Sequence, residues 1–182
     1  MIKTDRLILK DHTKENLEKL NSWFNDKELS FYDDEEPFTL QDLDETEQYL
    51  VNKLISSGFN ANKNIIHIAI HTKEGSLIGY CMIALIDKHN KKCKIGLTIG
   101  EKSQWGNGYG KETLQTLIEY CFSFLGMNRI TAEIFSMNKT SIRLFEGLGF
   151  KKEGTIRKSV LKKSEYVDEY IYGLLYDEWK TT

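Results

Sequence analysis

The chain has 182 residues, 40% hydrophobic and 29% charged, and a formal net charge of −2. That balance describes a single soluble globular domain, 1–182, long enough to bury a sizeable core. It argues against a general nucleic-acid binder, and no apolar run approaches the roughly 18–20 residues that span a membrane.

In chain order, Arg6-Leu7-Ile8-Leu9 begins a strand. Thr13 is an N-cap for a helix from Lys14 to about Phe24, with Leu17, Leu20 and Trp23 on one face, and Asn25-Asp26 ends it. Phe31–Pro37 reads F-Y-D-D-E-E-P, a compact acidic stretch flanked by aromatics. Thr39 starts a second helix running to about Ser56, closed by Ser57-Gly58. Asn64–His71 is an isoleucine-rich strand, Lys73–Ser76 a turn, and Leu77–Asp87 the returning strand of a hairpin. Lys88–Lys92 is a charged turn and Cys93–Gly100 a further strand. Gly108–Leu125 is the central helix, with Leu114, Leu117, Ile118, Cys121 and Phe122 facing inward and Gly126 as its cap. Ile130–Ser136 is a strand, Thr140–Gly147 a short helix, Phe150–Glu153 another strand, and Tyr166–Leu175 the last. This mixture, with a strand–helix–strand crossover, gives an α/β or α+β domain around one twisted sheet.

The most informative stretch is the loop Gln104–Lys111, Q-W-G-N-G-Y-G-K, where a strand becomes a helix. Glycine lets backbone approach a ligand closely, and the first amides of a helix have no intrahelical partner. With the positive end of the helix dipole they make an anion site, suited to a pyrophosphate. A P-loop would need G-x-x-x-x-G-K-[ST], but Glu112 follows Gly110-Lys111 and Trp105 stands where the first glycine belongs. A dinucleotide fingerprint would need G-x-G-x-x-G, and G-x-G-x-G is one residue short.

The next segment, Asn138-Lys139-Thr140-Ser141 followed by Leu144-Phe145-Glu146-Gly147-Leu148-Gly149-Phe150, resembles the N-x-x-S…L-Y-E-x-x-G-F signature of the GNAT superfamily of acetyltransferases. The glycine loop resembles their R/Q-x-x-G-x-G/A acetyl-CoA motif, with Gly108 and Gly110 in the glycine positions. The likeness extends from Arg6-Leu7-Ile8-Leu9 to the tail Asp168–Trp179 and is closest to the ribosomal-protein N-terminal acetyltransferases. It implies a mixed, mostly antiparallel sheet of about seven strands, with helices on both faces and a splay at the cofactor site. It also implies direct acetyl transfer from acetyl-CoA to an amine. The acceptor classes are a protein N-terminus, a polyamine, an amino-sugar or an aminoglycoside. A homodimer is common among relatives.

Each step then has candidate residues. The backbone of Gly106, Asn107, Gly108, Tyr109, Gly110 and Lys111 would hold the CoA pyrophosphate. By resemblance, backbone of Thr98 and Ile99 would pair with the pantetheine arm and polarise the acetyl carbonyl, and Asn138 would serve the pantetheine amides. A lysine-like amine has a pKa near 10.4, so neutralising it at pH 7 costs about 4–5 kcal/mol, and a base is useful. Glu133 is the first candidate, because one branch of the family uses a glutamate there; Glu35 and Glu36 are alternatives. The tyrosine that often protonates the leaving thiolate is replaced by Phe145, which leaves Ser141 as the candidate acid. Lys94 stands where relatives often carry glutamate.

Other features are read blandly. Cys81, Cys93 and Cys121 lack a neighbouring histidine at activating spacing and suit buried, reduced thiols of a cytoplasmic protein. Nothing in Met1-Ile2-Lys3-Thr4-Asp5-Arg6 reads as a signal peptide. His67 and His71 on a strand would stand about 13 Å apart, so no metal is expected. The acidic stretch Asp33–Glu36 would attract a cationic amine. The competing readings are a non-catalytic acyl-CoA-binding module, motivated by Phe145, and an oxidoreductase that binds NAD(P).

Overall fold

A computed structural model describes residues 1–32, 58–59 and 64–181. The expected helix Thr39–Ser56 and the acidic stretch Asp33–Glu36 lie outside these residues. The described strands are β1 (Ile2–Lys3), β2 (Leu7–Lys10), β3 (Ile65–Thr72), β4 (Leu77–Asp87), β5 (Lys92–Thr98), β6 (Arg129–Phe135), β7 (Lys151–Lys162) and β8 (Glu165–Leu175). The helices are α1 (Leu17–Phe24), α2 (Lys27–Phe31), α3 (Tyr109–Glu119), α4 (Lys139–Glu146) and α5 (Tyr176–Lys180). The strand order is β1-β2-β3-β4-β5-β6-β8-β7, mostly antiparallel, with β5 and β6 parallel. Among the described residues no helix is long and apolar enough to cross a membrane.

The chain divides into two compact units, and β4 and β5 each contribute residues to both. The first comprises Met1–Met82 and Leu97–Tyr109. Its core gathers Leu17, Leu20, Trp23, Phe24 and Leu29 with Ala69, Leu77 and Tyr80. Thr13 precedes a 3₁₀ turn, Lys14–Asn16, rather than capping α1, whose N-cap is Asn16; the Asn16 side chain accepts from the Thr13 amide at 3.0 Å. Asn25-Asp26 does end α1, yet Asp26 also starts α2, which sequence reading did not anticipate. The Asp26 carboxylate accepts from the amides of Glu28 and Leu29 at 2.9 and 3.1 Å, satisfying two orphan donors of a new helix.

This unit also buries three histidines, His12, His67 and His71. His67 and His71 share a face of β3, and neither ring nitrogen of His12 has a partner among the described residues. Burial lowers the His12 pKa to about 3, with His67 and His71 adding repulsion. His71 is lowered to about 4, again chiefly by burial, with Lys10 and Lys19 contributing. Because the folded values lie below the unfolded one of 6.5, the unfolded chain binds more protons between them, and acid favours unfolding. Stability is expected to be flat above about pH 7 and to fall as pH drops through 6.5 towards 5. Each histidine adds a slope of up to about 1.4 kcal/mol per pH unit. Urea unfolding at pH 7.5, 6.0 and 5.0 checks this, and an unchanged midpoint would contradict it.

The second unit comprises Ile83–Gly96 and Gly110–Thr182. Along β6, Ile130, Ala132 and Ile134 are buried while Glu133 is exposed, the period-two pattern of a strand with one covered face. In α3 and the turn after it, Leu114, Leu117, Ile118, Cys121 and Phe122 are buried as expected. Each fully buried leucine stabilises by roughly 1.5–3 kcal/mol. The last turn of that helix, Tyr120–Phe124, widens to a π turn in which the Leu125 amide reaches the Tyr120 carbonyl at 3.0 Å. Gly126, at φ +66°, then ends it.

Among the described residues the sheet has eight strands, against an expected seven or so, because the two-residue β1 pairs with β2. A larger difference is β7, which continues past Glu153 to Lys162 and pairs antiparallel with β8. The reversal is made by Lys163 and Ser164, at φ +48° and +69°, a two-residue hairpin turn built without glycine or asparagine. The basic run Arg157–Lys163 therefore lies on this hairpin, where charge on an edge strand discourages pairing with other chains.

Candidate active site

The glycine loop is anchored at its start by α1. A Cβ at Gly100 would lie 2.1 Å from the Trp23 indole, so the ring packs directly on backbone there. Lys19 pairs with Glu101 at 3.0 Å, and Lys102 pairs with Asp26 and Glu28 at 2.9 and 2.7 Å. Upstream, the Thr98 and Ile99 backbone runs close over Gly79 of β4, where a Cβ would meet the Thr98 carbonyl at 2.3 Å. Gly79 thus permits the approach that fixes these two residues. The Trp105 indole N–H donates to the Ile99 carbonyl at 2.7 Å. Trp105 therefore closes the loop back on Ile99, a role its position in the motif did not signal.

Gly106 and Gly108 have φ of +77° and +81°, where a side chain would be strained. Gly106, Asn107 and Gly108 are exposed. Among the described residues their amide N–H groups find no acceptor in the protein, whereas those of Gln104 and Trp105 donate to Glu101 and Lys102. Tyr109 begins α3, so Gly110 and Lys111 occupy its first turn, where amides point along the axis without intrahelical partners. Arg6, quoted in the sequence only as part of a strand, donates to the Asn107 carbonyl at 2.8 Å and lies 4.7 Å over the Tyr109 ring.

In the second unit, β5 and β6 pair at Lys92↔Arg129, Cys93↔Ile130 and Lys94↔Thr131, and the ladder stops there. The two strands continue beyond this row, so it is a fork in the sheet. Glu133 lies just past it, and its carboxylate accepts from the Lys94 ammonium. The expected base is thus an ion-pair partner, and Lys94, noted as a departure from relatives, is what it pairs with. Asn138 caps α4, its Oδ1 accepting from the Ser141 amide at 3.0 Å. The motif asparagine and serine are therefore brought together, with the asparagine carbonyl oxygen committed to the helix end.

The remainder of the motif is structural. Phe145 is buried and meets the Phe150 ring edge-on at 5.0 Å. The buried Tyr172 hydroxyl donates to the Glu146 carboxylate at 2.8 Å, and burial with that bond pushes its pKa up to about 12. Cys81, Cys93 and Cys121 are buried and none of them is in a disulfide, and burial pushes the Cys81 thiol well above its usual range. Burial of this kind disfavours the thiolate, the form in which a cysteine attacks. Among the described residues no group of three His, Cys, Asp or Glu side chains is arranged to hold a metal ion.

The acetyltransferase (GNAT) domain model matches residues 6–151. The chain belongs to the GNAT acetyltransferase family. It is 34% identical over 176 residues to the uncharacterized N-acetyltransferase p20 of Bacillus licheniformis, covering 97% of this chain and 96% of that one. Among solved structures, a GNAT-family acetyltransferase from Bacillus anthracis matches with a TM-score of 0.80 at 25% identity, over 97% and 99% of the two chains. The spermidine N-acetyltransferase of Vibrio cholerae, in complex with CoA and spermine, matches with a TM-score of 0.85 at 19% identity, over the same shares. This GNAT enzyme is an N-acetyltransferase that draws its acetyl group from acetyl-CoA.

Proposed function

We propose that this enzyme acetylates the primary amine of a small cationic molecule, with the polyamines as the first class to test. The observation that carries its coenzyme half is the row of three exposed loop amides, Gly106, Asn107 and Gly108, with no acceptor among the described residues. An anion with several oxygens satisfies such a row, and a pyrophosphate has them. Gly110 and Lys111 extend the donor set into the first turn of α3. Backbone of Thr98 and Ile99 serves the pantetheine arm, and the Asn138 amide nitrogen keeps a donor for it.

For the acceptor half, four consecutive carboxylates, Asp33–Glu36, supply negative charge that concentrates cationic amines. Likeness of fold to a spermidine acetyltransferase over 97% of the chain supports the same class. Glu133 is the base that takes the ammonium proton, exchanging its Lys94 partner for the incoming amine. Ser141 is the acid available to the departing thiolate. Three buried cysteines outside any disulfide suit the reducing cytoplasm as the site of reaction.

An acceptor screen under saturating acetyl-CoA tests this reading, with free CoA thiol as the readout. The panel is spermidine, spermine, an amino-sugar, an aminoglycoside and a peptide with a free N-terminus. Polyamine turnover at least about tenfold above the others is expected; a preference for the peptide would overturn the acceptor assignment.

A further inference from the structure

Arg6 approaches the glycine loop from the far end of the sequence. It sits in a turn between β1 and β2 that is pinned on both sides. The Thr4 amide donates to the Leu7 carbonyl at 3.0 Å, and the Leu7 amide returns to Thr4 Oγ1 at 2.9 Å. The Arg6 carbonyl accepts from the Lys73 amide at 3.1 Å. From this fixed base the side chain makes two contacts with the loop. Its Nη1 donates to the Asn107 carbonyl at 2.8 Å, and its guanidinium carbon lies over the Tyr109 ring, 4.7 Å from the centroid.

The Asn107 contact has a directional effect. The carbonyl of Asn107 and the N–H of Gly108 share one peptide plane, and no described peptide bond is cis. In a trans plane the two groups point in opposite directions. Holding the carbonyl on Arg6 therefore aims the Gly108 N–H away from Arg6. That N–H has no acceptor in the protein among the described residues. Glycine at φ +81° has little steric preference of its own to hold this plane, so an outside contact must set it. The guanidinium over the Tyr109 ring adds a cation–π contact to the first residue of α3.

We propose that Arg6 is a positioning residue for the coenzyme. It never touches the pyrophosphate but orients the Gly108 amide that does, and it rigidifies the loop before CoA arrives. This rests on the assignment of the loop to the pyrophosphate. Preorganisation of this kind raises affinity by removing the cost of ordering the loop on binding.

The test is calorimetric titration of CoA into the wild-type chain and its Arg6→Gln, Arg6→Lys and Gly108→Val variants. The melting temperature of each free protein and the CoA-induced shift of the Gly108 amide resonance are measured alongside. Arg6→Gln is expected to raise the Kd about tenfold, as loss of one charged hydrogen bond would, to shrink the Gly108 shift and to leave melting nearly unchanged. Arg6→Lys is expected to fall between, since it keeps a charged donor but cannot reach the Asn107 carbonyl and lie over the Tyr109 ring at once. A purely structural role would lower melting without altering the Gly108 response to CoA. If Arg6→Gln does not fold, Arg6→Lys decides. CoA affinity within twofold of wild type in the folded Arg6 variants, while Gly108→Val abolishes it, overturns the role of Arg6 alone. Unchanged affinity in Gly108→Val removes the loop assignment itself, and the inference with it.

Discussion

Replacing Gly108 by valine is expected to raise the Kd for acetyl-CoA by at least about 100-fold while the chain stays folded. Gly108 holds φ at +81°, where a β-branched residue is a genuine outlier. The space itself is not the obstacle, because among the described residues a Cβ would meet Arg6 Nη2 alone, at an ordinary 3.5 Å. The backbone must instead rotate to relieve the strain, and the exposed loop is free to do so without disturbing a core. Rotation turns the Gly108 and Asn107 amides off their aim. Hydrogen bonds to a charged group are each worth about 1.5–3 kcal/mol, so losing two costs at least about two decades in affinity. Gly75 supplies the control, since it has φ of +93°, open space around it and a place in the turn between β3 and β4. Gly75→Val carries comparable backbone strain and is expected to leave acetyl-CoA binding alone. Equal losses in both variants would trace the effect to general destabilisation.

Glu133→Gln is expected to lower kcat by about 10²–10⁴-fold with little change in KM for acetyl-CoA, the size of effect that removing a general base produces. The structure makes this a sharp choice, because Glu133 already has an occupation in its pair with Lys94. If that pair is its whole role, the substitution costs about 0–1 kcal/mol of stability and leaves kcat within about threefold. Initial rates at saturating acetyl-CoA, with the best amine from the screen and over pH 6–9, separate the two.

Much of the fold was legible because its signals are local. The hairpin of β3 and β4 follows from two apolar runs around Lys73–Ser76, and β4 was bounded at Leu77 and Asp87 as observed. The inward stripe of α3 follows from helical periodicity alone. The misses share a cause. Asp26 serves as a stop for α1 and a cap for α2, and a single residue gives no hint of double use. Lys163 and Ser164 turn the last hairpin without the glycine or asparagine that usually marks such a turn, so β7 was read too short.

The candidate site divides the same way. The positive φ of Gly106 and Gly108 was foreseeable from residue type, as was the row of donors. What holds the loop in place was not. Arg6 lies 101 positions from Asn107, Trp105 turns back to Ile99, and Lys94 finds Glu133 across a fork between strands. Contacts of that kind depend on where the sheet brings distant residues, which spacing along the chain does not encode.

The central claim is that backbone amides of the glycine loop hold the coenzyme's diphosphate. A crystal structure with CoA tests it most directly. The account predicts pyrophosphate oxygens within about 2.7–3.2 Å of at least two of the Gly106, Asn107 and Gly108 nitrogens. A diphosphate bound away from this loop, with those nitrogens still facing solvent, would contradict it.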